Sequence, residues 1–259
     1  MKKCKIQIDY EKEIKKKRLE NIKIFKDALN NLNENKNIEE KLLNWCERYD
    51  YDFNELISKL NKSDDILVIG QFAKDPGKQN MHEDMAFEYL QKLPVISNQI
   101  HLPKGKNAKF VVNGKITDNK GTANIKSLDC YFCYEYRDKK LEFYTSNKYT
   151  KSSGGAQDNQ FNDLQEFMKQ ARDVTDKNIF LMAVADGDYY QNKYEEFKTK
   201  IEYFNERYKG TRVIALTSNE ILETAIIESI KWLNENFDDR EVEIEINRLN
   251  KIFDEYYKS

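Results

Sequence analysis

Two residues that could do phosphate chemistry together stand on neighbouring predicted strands. Asp129 comes early in the apolar stretch 127–136, and Lys148 comes near the end of the next stretch, 141–149. Because side chains alternate along a strand, Ser146 and Lys148 share one face. A carboxylate at this place could hold Mg²⁺, and a neighbouring lysine could position or deprotonate a water that attacks phosphorus. On these two residues alone, an isolated acid and an isolated lysine at a strand edge remain the simpler alternative.

The chain around these residues predicts how they are positioned. Only residues 137–140 separate the two stretches, which indicates an antiparallel hairpin whose open end brings Asp129 and Lys148 together. After the loop 150–156, a helix is predicted from Asp158, and two strand-plus-helix units follow. Their strands are predicted at 179–185 and 212–217, and their helices at 190–208 and from Ser218 onward. This order indicates an α/β fold in which a mixed β-sheet is flanked by helices on both faces.

The N-terminal part of the chain has a different pattern. Apolar residues recur there at three- to five-residue intervals, with an interruption at the Asn-rich segment 30–37. This periodicity predicts an N-terminal helical lobe. We therefore divide the chain into the lobe, residues 1–65, and an α/β domain, residues 66–259.

The composition is that of an ordinary globular protein. Of the 259 residues, 39% are hydrophobic and 34% charged, and there are only 9 glycines and 3 prolines, which argues against collagen-like repeats and long disordered tails. No apolar run approaches the ~18 to 20 residues that cross a bilayer, and the first residues are charged where a signal peptide would be apolar. These features predict a cytoplasmic protein that does not associate with membranes.

The cysteines are expected to be free thiols. Four cysteines in a chain of 259 residues do not make a disulfide framework. Cys130 and Cys133 form a CxxC motif within a predicted strand, so they point to opposite faces and are poorly placed to chelate one zinc ion. We expect all four to be buried, since free cysteine packs as a small hydrophobe.

Charge is unevenly distributed although the net charge is only −2. Between Lys104 and Lys126 there are six lysines and one acid, whereas Glu228 to Glu245 holds seven acids and two basic residues. Such a distribution would let one face approach a polyanion while the whole molecule stays near neutral. A solvated, lysine-rich loop is the equal alternative.

The order of these motifs resembles the nuclease core of the PD-(D/E)XK type II restriction endonucleases. A helix with Glu83, a strand with Asp129, a strand with Lys148 and a glutamine-bearing helix follow one another in that order. The segments that carry the resemblance are 75–83, 144–163 and 184–190, and together they span roughly residues 66–225. The resemblance implies a restriction-endonuclease-like fold.

The resemblance also implies roles for individual residues. Asp129 would be the metal-binding aspartate of the motif and Lys148 its lysine. Glu83 would be the accessory acid that holds a metal or a metal-bound water, and Gln160 would face the active site or the backbone. The residues expected to contact DNA are Lys104, Lys106, Lys151, Ser152, Ser153, Gln157 and Asn159.

One position departs from the motif. The usual acid two residues before the lysine is Ser146 in this chain. Some enzymes of this type restore the missing carboxylate from the following helix, which makes Glu166 the first candidate for a replacement metal ligand and Asp163 the second. Without a replacement, the protein would be a catalytically silent nuclease-fold protein that binds DNA or another protein.

The sequence thus predicts a Mg²⁺-dependent endonuclease that cleaves double-stranded DNA at a specific site. The resemblance implies a homodimer that works beside a cognate DNA methyltransferase in a restriction system. A third reading is a generic α/β domain with a ligand at the carboxyl ends of its strands, near the loop 152–156 and Asp186. No phosphate-binding or nucleophile motif supports that reading.

Overall fold

The computed structural model describes residues 4–63, 65–75, 81–121, 125–151 and 155–257, the side chains of residues 155–157 excepted. The chain forms two compact units. One consists of Asp9–Met81, and the other combines Met1–Ile8 with His82–Ser259. We call them the helical unit and the α/β unit.

The helical unit is built from amphipathic helices around its own core. The helices are α1 (Tyr10–Leu29), α2 (Lys36–Tyr49), α3 (Phe53–Lys62) and α4 (Ile66–Phe72). Asp9, Asp52 and Asp65 cap three of them by accepting a backbone N–H in the first turn. The predicted boundary after residue 65 moves to residue 81, because Ile69 and Phe72 of α4 pack into the same core as Phe25 and Leu42.

A β-hairpin forms the centre of the α/β unit, as its short turn predicted. Strand β4 (Cys130–Tyr136) pairs antiparallel with β5 (Lys139–Tyr149), and Cys130 lies opposite Thr145. Arg137 in the turn has a positive φ of 55°. Its guanidinium donates hydrogen bonds to Asp239 and Glu241, so part of the acidic C-terminal region fixes this turn.

The hairpin belongs to a five-stranded mixed sheet. The other strands are β1 (Ser97–His101), β6 (Ile179–Asp186) and β7 (Val213–Leu216), and the order is β1-β4-β5-β6-β7. β1 is antiparallel to β4, whereas β6 and β7 run parallel to β5. The carboxyl ends of β5, β6 and β7 therefore lie at the sheet edge where β4 begins. We call this the carboxyl edge.

Helices cover both faces of the sheet, as predicted for an α/β fold. One face packs against α5 (Met81–Leu90), α9 (Ile221–Asn236) and α10 (Arg240–Tyr257), in a core that contains Phe132, Phe143 and Trp232. The other face packs against α6 (Gly155–Ala171) and α8 (Lys200–Arg207). Strand β6 alternates between these two cores, which explains why seven of its eight residues are buried, whereas the outer strand β1 has no buried residue.

The lysine-rich segment forms a second, two-stranded sheet. β2 (Phe110–Val112) and β3 (Lys115–Thr117) pair around Asn113 and Gly114, both with positive φ. The backbone N–H of Gly114 donates to the carbonyl of Gln170 at 2.8 Å, so the turn is attached to the end of α6. A Cβ atom at Gly114 would come within 2.1 Å of the Asp173 carbonyl oxygen, which only glycine avoids.

Some local predictions need correction and others are confirmed. The predicted helix 190–208 is interrupted: a short helix α7 (Asp188–Gln191) is followed by a bridge between Tyr194 and Phe197 before α8 begins. Glu195, at the turn of this bridge, has a φ of 50°, which a helix does not allow. All four cysteines are buried free thiols, as predicted. No helix in the described ranges is long and apolar enough to cross a membrane.

Candidate functional site

The candidate site is centred on Asp129, which is buried at the carboxyl edge just before β4. Its backbone N–H donates to the carbonyl of Thr145 at 2.8 Å, and its carboxylate Oδ2 accepts the backbone N–H of Asn147 at 2.7 Å. Asn147 stands between Ser146 and Lys148 on β5. The hairpin therefore fixes the carboxylate of Asp129 against the strand segment that carries the predicted lysine.

The charges around Asp129 act on its pKa in opposite directions. Burial raises the pKa of this carboxyl, while the ammonium of Lys148, the N–H of Asn147 and the ammonium of Lys104 lower it, and the carboxylate of Glu83 raises it further. Burial prevails, so the pKa of Asp129 lies above its usual value. The charges of Lys148 and Glu83, the other two residues of the predicted motif, thus both act on the carboxyl of Asp129.

Glu83 lies at the beginning of α5 and has two neighbours, one that is the last residue of β1 and one shortly after that strand. Lys104 forms an ion pair with Glu83 Oε2, and His101 Nε2 lies 4.0 Å from the same oxygen. The imidazole of His101 also stacks on Phe87 of α5, with ring centroids 5.4 Å apart. Because Leu102 donates its N–H to the carbonyl of Asp129 at 2.9 Å, this segment is attached directly to the site.

Three buried polar atoms near Asp129 lack a hydrogen-bond partner among the described residues. They are Oγ1 of Thr145, Oδ1 of Asn147 and Nε2 of His101. Asn147 is only 8% exposed, and its Nδ2 makes a weak contact with Cys130 Sγ at 3.7 Å. Buried polar atoms are normally paired, with protein or with water. Nε2 of His101 lies 4.0 Å from the carboxylate of Glu83, and Asn147 donates its backbone N–H to Asp129, so both residues are candidates for contact with a polar ligand at this site.

The end of β5 is fixed by its neighbours on β6 and α6. Thr150 donates its hydroxyl to Oε1 of Gln160 at 2.6 Å and its N–H to the carbonyl of Asp186 at 2.9 Å. Gln160, predicted to face the site or the backbone, thus holds the residue that follows β5. Asp186 accepts the backbone N–H of Ser218 at 2.9 Å and also its hydroxyl, which connects β6 to the turn after β7.

Glu166, the first candidate for the replacement ligand, is paired within its own helix. Its carboxylate accepts a hydrogen bond from Gln170 at 2.8 Å and lies 3.6 Å from the ammonium of Lys169. Helix α6 begins at the carboxyl edge and runs antiparallel to β5, so Glu166, 11 residues after Gly155, lies roughly 16 Å along the helix from that edge. Its charge acts on Tyr208, which precedes β7 at the opposite edge.

The alternative acid, Asp163, is half-buried on α6, and its role as a replacement ligand stays a prediction. Burial raises the pKa of the Tyr190 phenol, and the charges of Asp163 and Asp186 raise it further. Ser146 itself is buried at 3% exposure. Within the described ranges, no group of three or more His, Cys, Asp or Glu side chains is arranged to hold a metal ion. The carboxylates at the site are those of Asp129 and Glu83.

The residues predicted to contact DNA are only partly visible. Lys104, Lys106, Lys151 and Asn159 are exposed, and Lys104 is paired with Glu83. Ser152, Ser153 and the side chain of Gln157 lie outside the described part of the structure. In the lysine-rich segment, Lys109 is paired with Asp118, whereas Lys106, Lys115, Lys120 and Lys126 are exposed.

Two residues of the site were missed from the sequence. The sequence pattern assigns no role to Asn147 or to His101. Neither residue type reveals by itself that an atom will be buried without a partner. The alternation of β5 could have indicated that Asn147 faces the same core as Phe143, where an amide needs a partner.

Comparison of the chain with protein-family models, with curated proteins and with solved structures found no match.

Proposed function

We propose that the protein is a Mg²⁺-dependent endonuclease that cleaves double-stranded DNA, with a restriction-endonuclease-like core of the PD-(D/E)XK type. The observation that carries the proposal is the hydrogen bond from Asn147 to Asp129, which sets a buried carboxylate beside Lys148 and within electrostatic reach of Glu83. A carboxylate that is kept buried at the cost of a raised pKa is typical of a functional position.

The donor set is compatible with Mg²⁺. This ion prefers oxygen ligands and usually takes only one or two carboxylates, since it retains waters and uses phosphate oxygens of the substrate. Asp129 and Glu83 supply two carboxylates, and Oδ1 of Asn147 supplies an acceptor for a metal-bound water. A cage of three protein ligands is therefore not required, although the position of Ser146 leaves the site one acid short of the usual motif.

Each residue has a separate task in this proposal. Asp129 and Glu83 hold the ion, which when bound stabilises the charge that develops on the phosphate. Lys148, beside Asp129, orients or deprotonates the attacking water. Lys106 and Lys151 are exposed and would contact neighbouring phosphates, which positions the duplex without reading its sequence.

The biological setting is part of the same proposal. A restriction enzyme that cuts both strands of a short site would act as a homodimer, in the cytoplasm, beside a DNA methyltransferase that protects the host DNA. Gel filtration of the protein with a short duplex tests the dimer directly.

The first prediction concerns cleavage. Purified protein should linearise or fragment plasmid DNA with Mg²⁺, and Asp129→Ala and Lys148→Ala should each lower the rate at least about 100-fold, because they remove a metal ligand and a proton-transfer group. Gel electrophoresis of timed samples measures the rate.

Matched controls come from the other end of the same hairpin. Asp138→Ala and Lys139→Ala remove an exposed acid and an exposed lysine and should leave the rate within about twofold of wild type, since surface substitutions seldom matter. Cleavage that survives both Asp129→Ala and Lys148→Ala would refute the assignment of the site.

A second candidate function is a catalytically silent protein of the same fold that binds DNA. The presence of Ser146 in the place of the acid favours it, together with the hydrogen bond that Glu166 accepts from Gln170. Binding of duplex DNA in Ca²⁺ without cleavage in Mg²⁺ or Mn²⁺ at any concentration would support this candidate over the first.

A further inference from the structure

The ammonium of Lys104 lies where a metal ion would bind at the candidate site. Its ammonium pairs with Glu83 Oε2, and its charge acts on Asp129, so one lysine interacts with both carboxylates assigned to metal binding. The side chain of Glu83 is 24% exposed and that of Lys104 is 43% exposed, so the pair is partly shielded from water but open on one side.

The backbone around Lys104 allows its side chain to move away from Glu83. Lys104 immediately precedes a single 3-10 turn, Gly105–Asn107, outside the sheet. Gly105 has a positive φ of 75° and no atom within 4 Å of the place where a Cβ would be. The preceding residues are fixed instead: His101 pairs with Cys130 in β1, and Leu102 is bonded to Asp129.

His101 offers Glu83 a second, fixed neighbour. Its Nε2 lies 4.0 Å from the oxygen that Lys104 contacts, and its ring is stacked on Phe87. If Lys104 moves away, Glu83 still faces a ring nitrogen that is buried and has no hydrogen-bond partner among the described residues. The carboxylate therefore keeps its place while its charge becomes available to another cation.

We propose that Lys104 is a positioning residue that exchanges partners: it neutralises Glu83 while no divalent ion is bound, and it transfers its charge to a DNA phosphate when the ion takes its place. The inference rests on the proposed function, since it assumes that Glu83 and Asp129 bind a divalent ion and that DNA is the substrate. The exchange couples the binding of the divalent ion to the binding of DNA, because each of them favours the position of Lys104 away from Glu83.

If Lys104 exchanges partners in this way, replacing it should raise the affinity for the metal ion and lower the affinity for DNA. Lys104→Met removes the competing ammonium while keeping the length of the side chain. Without DNA, the affinity for Ca²⁺ or Mn²⁺ should increase by up to about fivefold, the range expected for release of one partly exposed ion pair. In Ca²⁺, the affinity for duplex DNA should decrease about two- to tenfold, and the slope of log affinity against log salt should become shallower by about one phosphate contact.

Calorimetric titration with Ca²⁺ and Mn²⁺, and fluorescence anisotropy with a labelled duplex, measure the two affinities. Lys209→Met is the matched control: it removes the exposed lysine of another ion pair, the one with Glu206, and should leave both affinities unchanged. Lys104→Arg keeps the charge and should resemble the wild type in both titrations. Circular dichroism before each titration shows whether a variant is folded.

The results separate this inference from the proposed function. If the wild type binds Ca²⁺ or Mn²⁺ and Asp129→Asn abolishes the binding, the metal site stands, and an unchanged or weaker metal affinity in Lys104→Met would overturn the exchange alone. An unchanged DNA affinity in that variant would overturn it as well, leaving a surface ion pair. If the wild type binds no divalent ion, the metal site and the exchange both fail.

Discussion

At the scale of single residues, Asp129 shows a conflict between stability and function. The protein buries this carboxyl and gives it one backbone hydrogen bond, from Asn147, so its pKa is raised in the folded state. Below the pKa that this carboxyl has in the unfolded chain, the group is protonated in both states and its contribution to stability is complete. That contribution is lost as the pH rises through the pKa that the carboxyl has in the folded protein, because the buried group then ionises. At neutral pH the buried charge therefore destabilises the fold.

The second prediction follows from that sign. Asp129→Asn keeps an oxygen for the N–H of Asn147 and removes the charge, so the free energy of unfolding at pH 7.5 should increase, because the buried charge is no longer formed. The difference should shrink as the pH is lowered towards 4. Urea unfolding at both pH values measures it, with Asp138→Asn as the exposed control. A variant less stable than wild type at both pH values would contradict the argument.

At the scale of elements, Gly187 determines where β5 ends. It has a φ of 96°, and a Cβ atom there would lie 2.2 Å from the carbonyl oxygen of Thr150. Thr150 is in turn bonded to Asp186 and Gln160. The close contact between Gly187 and Thr150 sets the distance between the end of β5, which carries Lys148, and the beginning of α7. The geometry of the site therefore depends on Gly187, although this residue has no side chain.

The third prediction tests this contact. Gly187→Ala should lower the free energy of unfolding by about 2 to 4 kcal/mol, because an unfavourable φ and a steric clash add up. It should also weaken Ca²⁺ binding, since the end of β5 must shift. Gly210→Ala is the control: its φ is 78°, but no atom lies within 4 Å of the new Cβ, so about 1 kcal/mol is expected from the backbone alone. Equal losses in both variants would show that the contact is unimportant.

The elements also show how far the sequence could predict the fold. The hairpin was predictable because its turn is local, and the buried thiols because cysteine packs as a hydrophobe. Glu166 was not predictable, since its place depends on where α6 begins and in which direction it runs over the sheet. Ile69 and Phe72 were recognisable as core residues, but their spacing does not say which of two cores they join. Glu195 breaks a helix that apolar periodicity favoured.

At the scale of the whole molecule, the two units have separate cores. The core of the helical unit contains residues from α1 to α4, and the cores on the two faces of the sheet contain none of these. The α/β unit is discontinuous: Lys5 donates its N–H to the carbonyl of Tyr256 at 3.0 Å, and Ile8 to Oδ1 of Asn219 at 3.2 Å. The segment before α1 thus belongs to the unit that the chain enters again at His82.

The fourth prediction is that the helical unit folds alone. Residues 9–81 expressed by themselves should show a helical circular dichroism spectrum and a cooperative thermal transition, since the unit buries its own core and caps its own helices. Leu42→Ala, at a fully buried position, should lower its free energy of unfolding by about 2 to 5 kcal/mol. In the full chain, the same substitution should leave Ca²⁺ binding at Asp129 unchanged. A non-cooperative transition in the isolated unit, or a loss of Ca²⁺ binding in full-length Leu42→Ala, would show that the helical unit and the α/β unit depend on each other for stability.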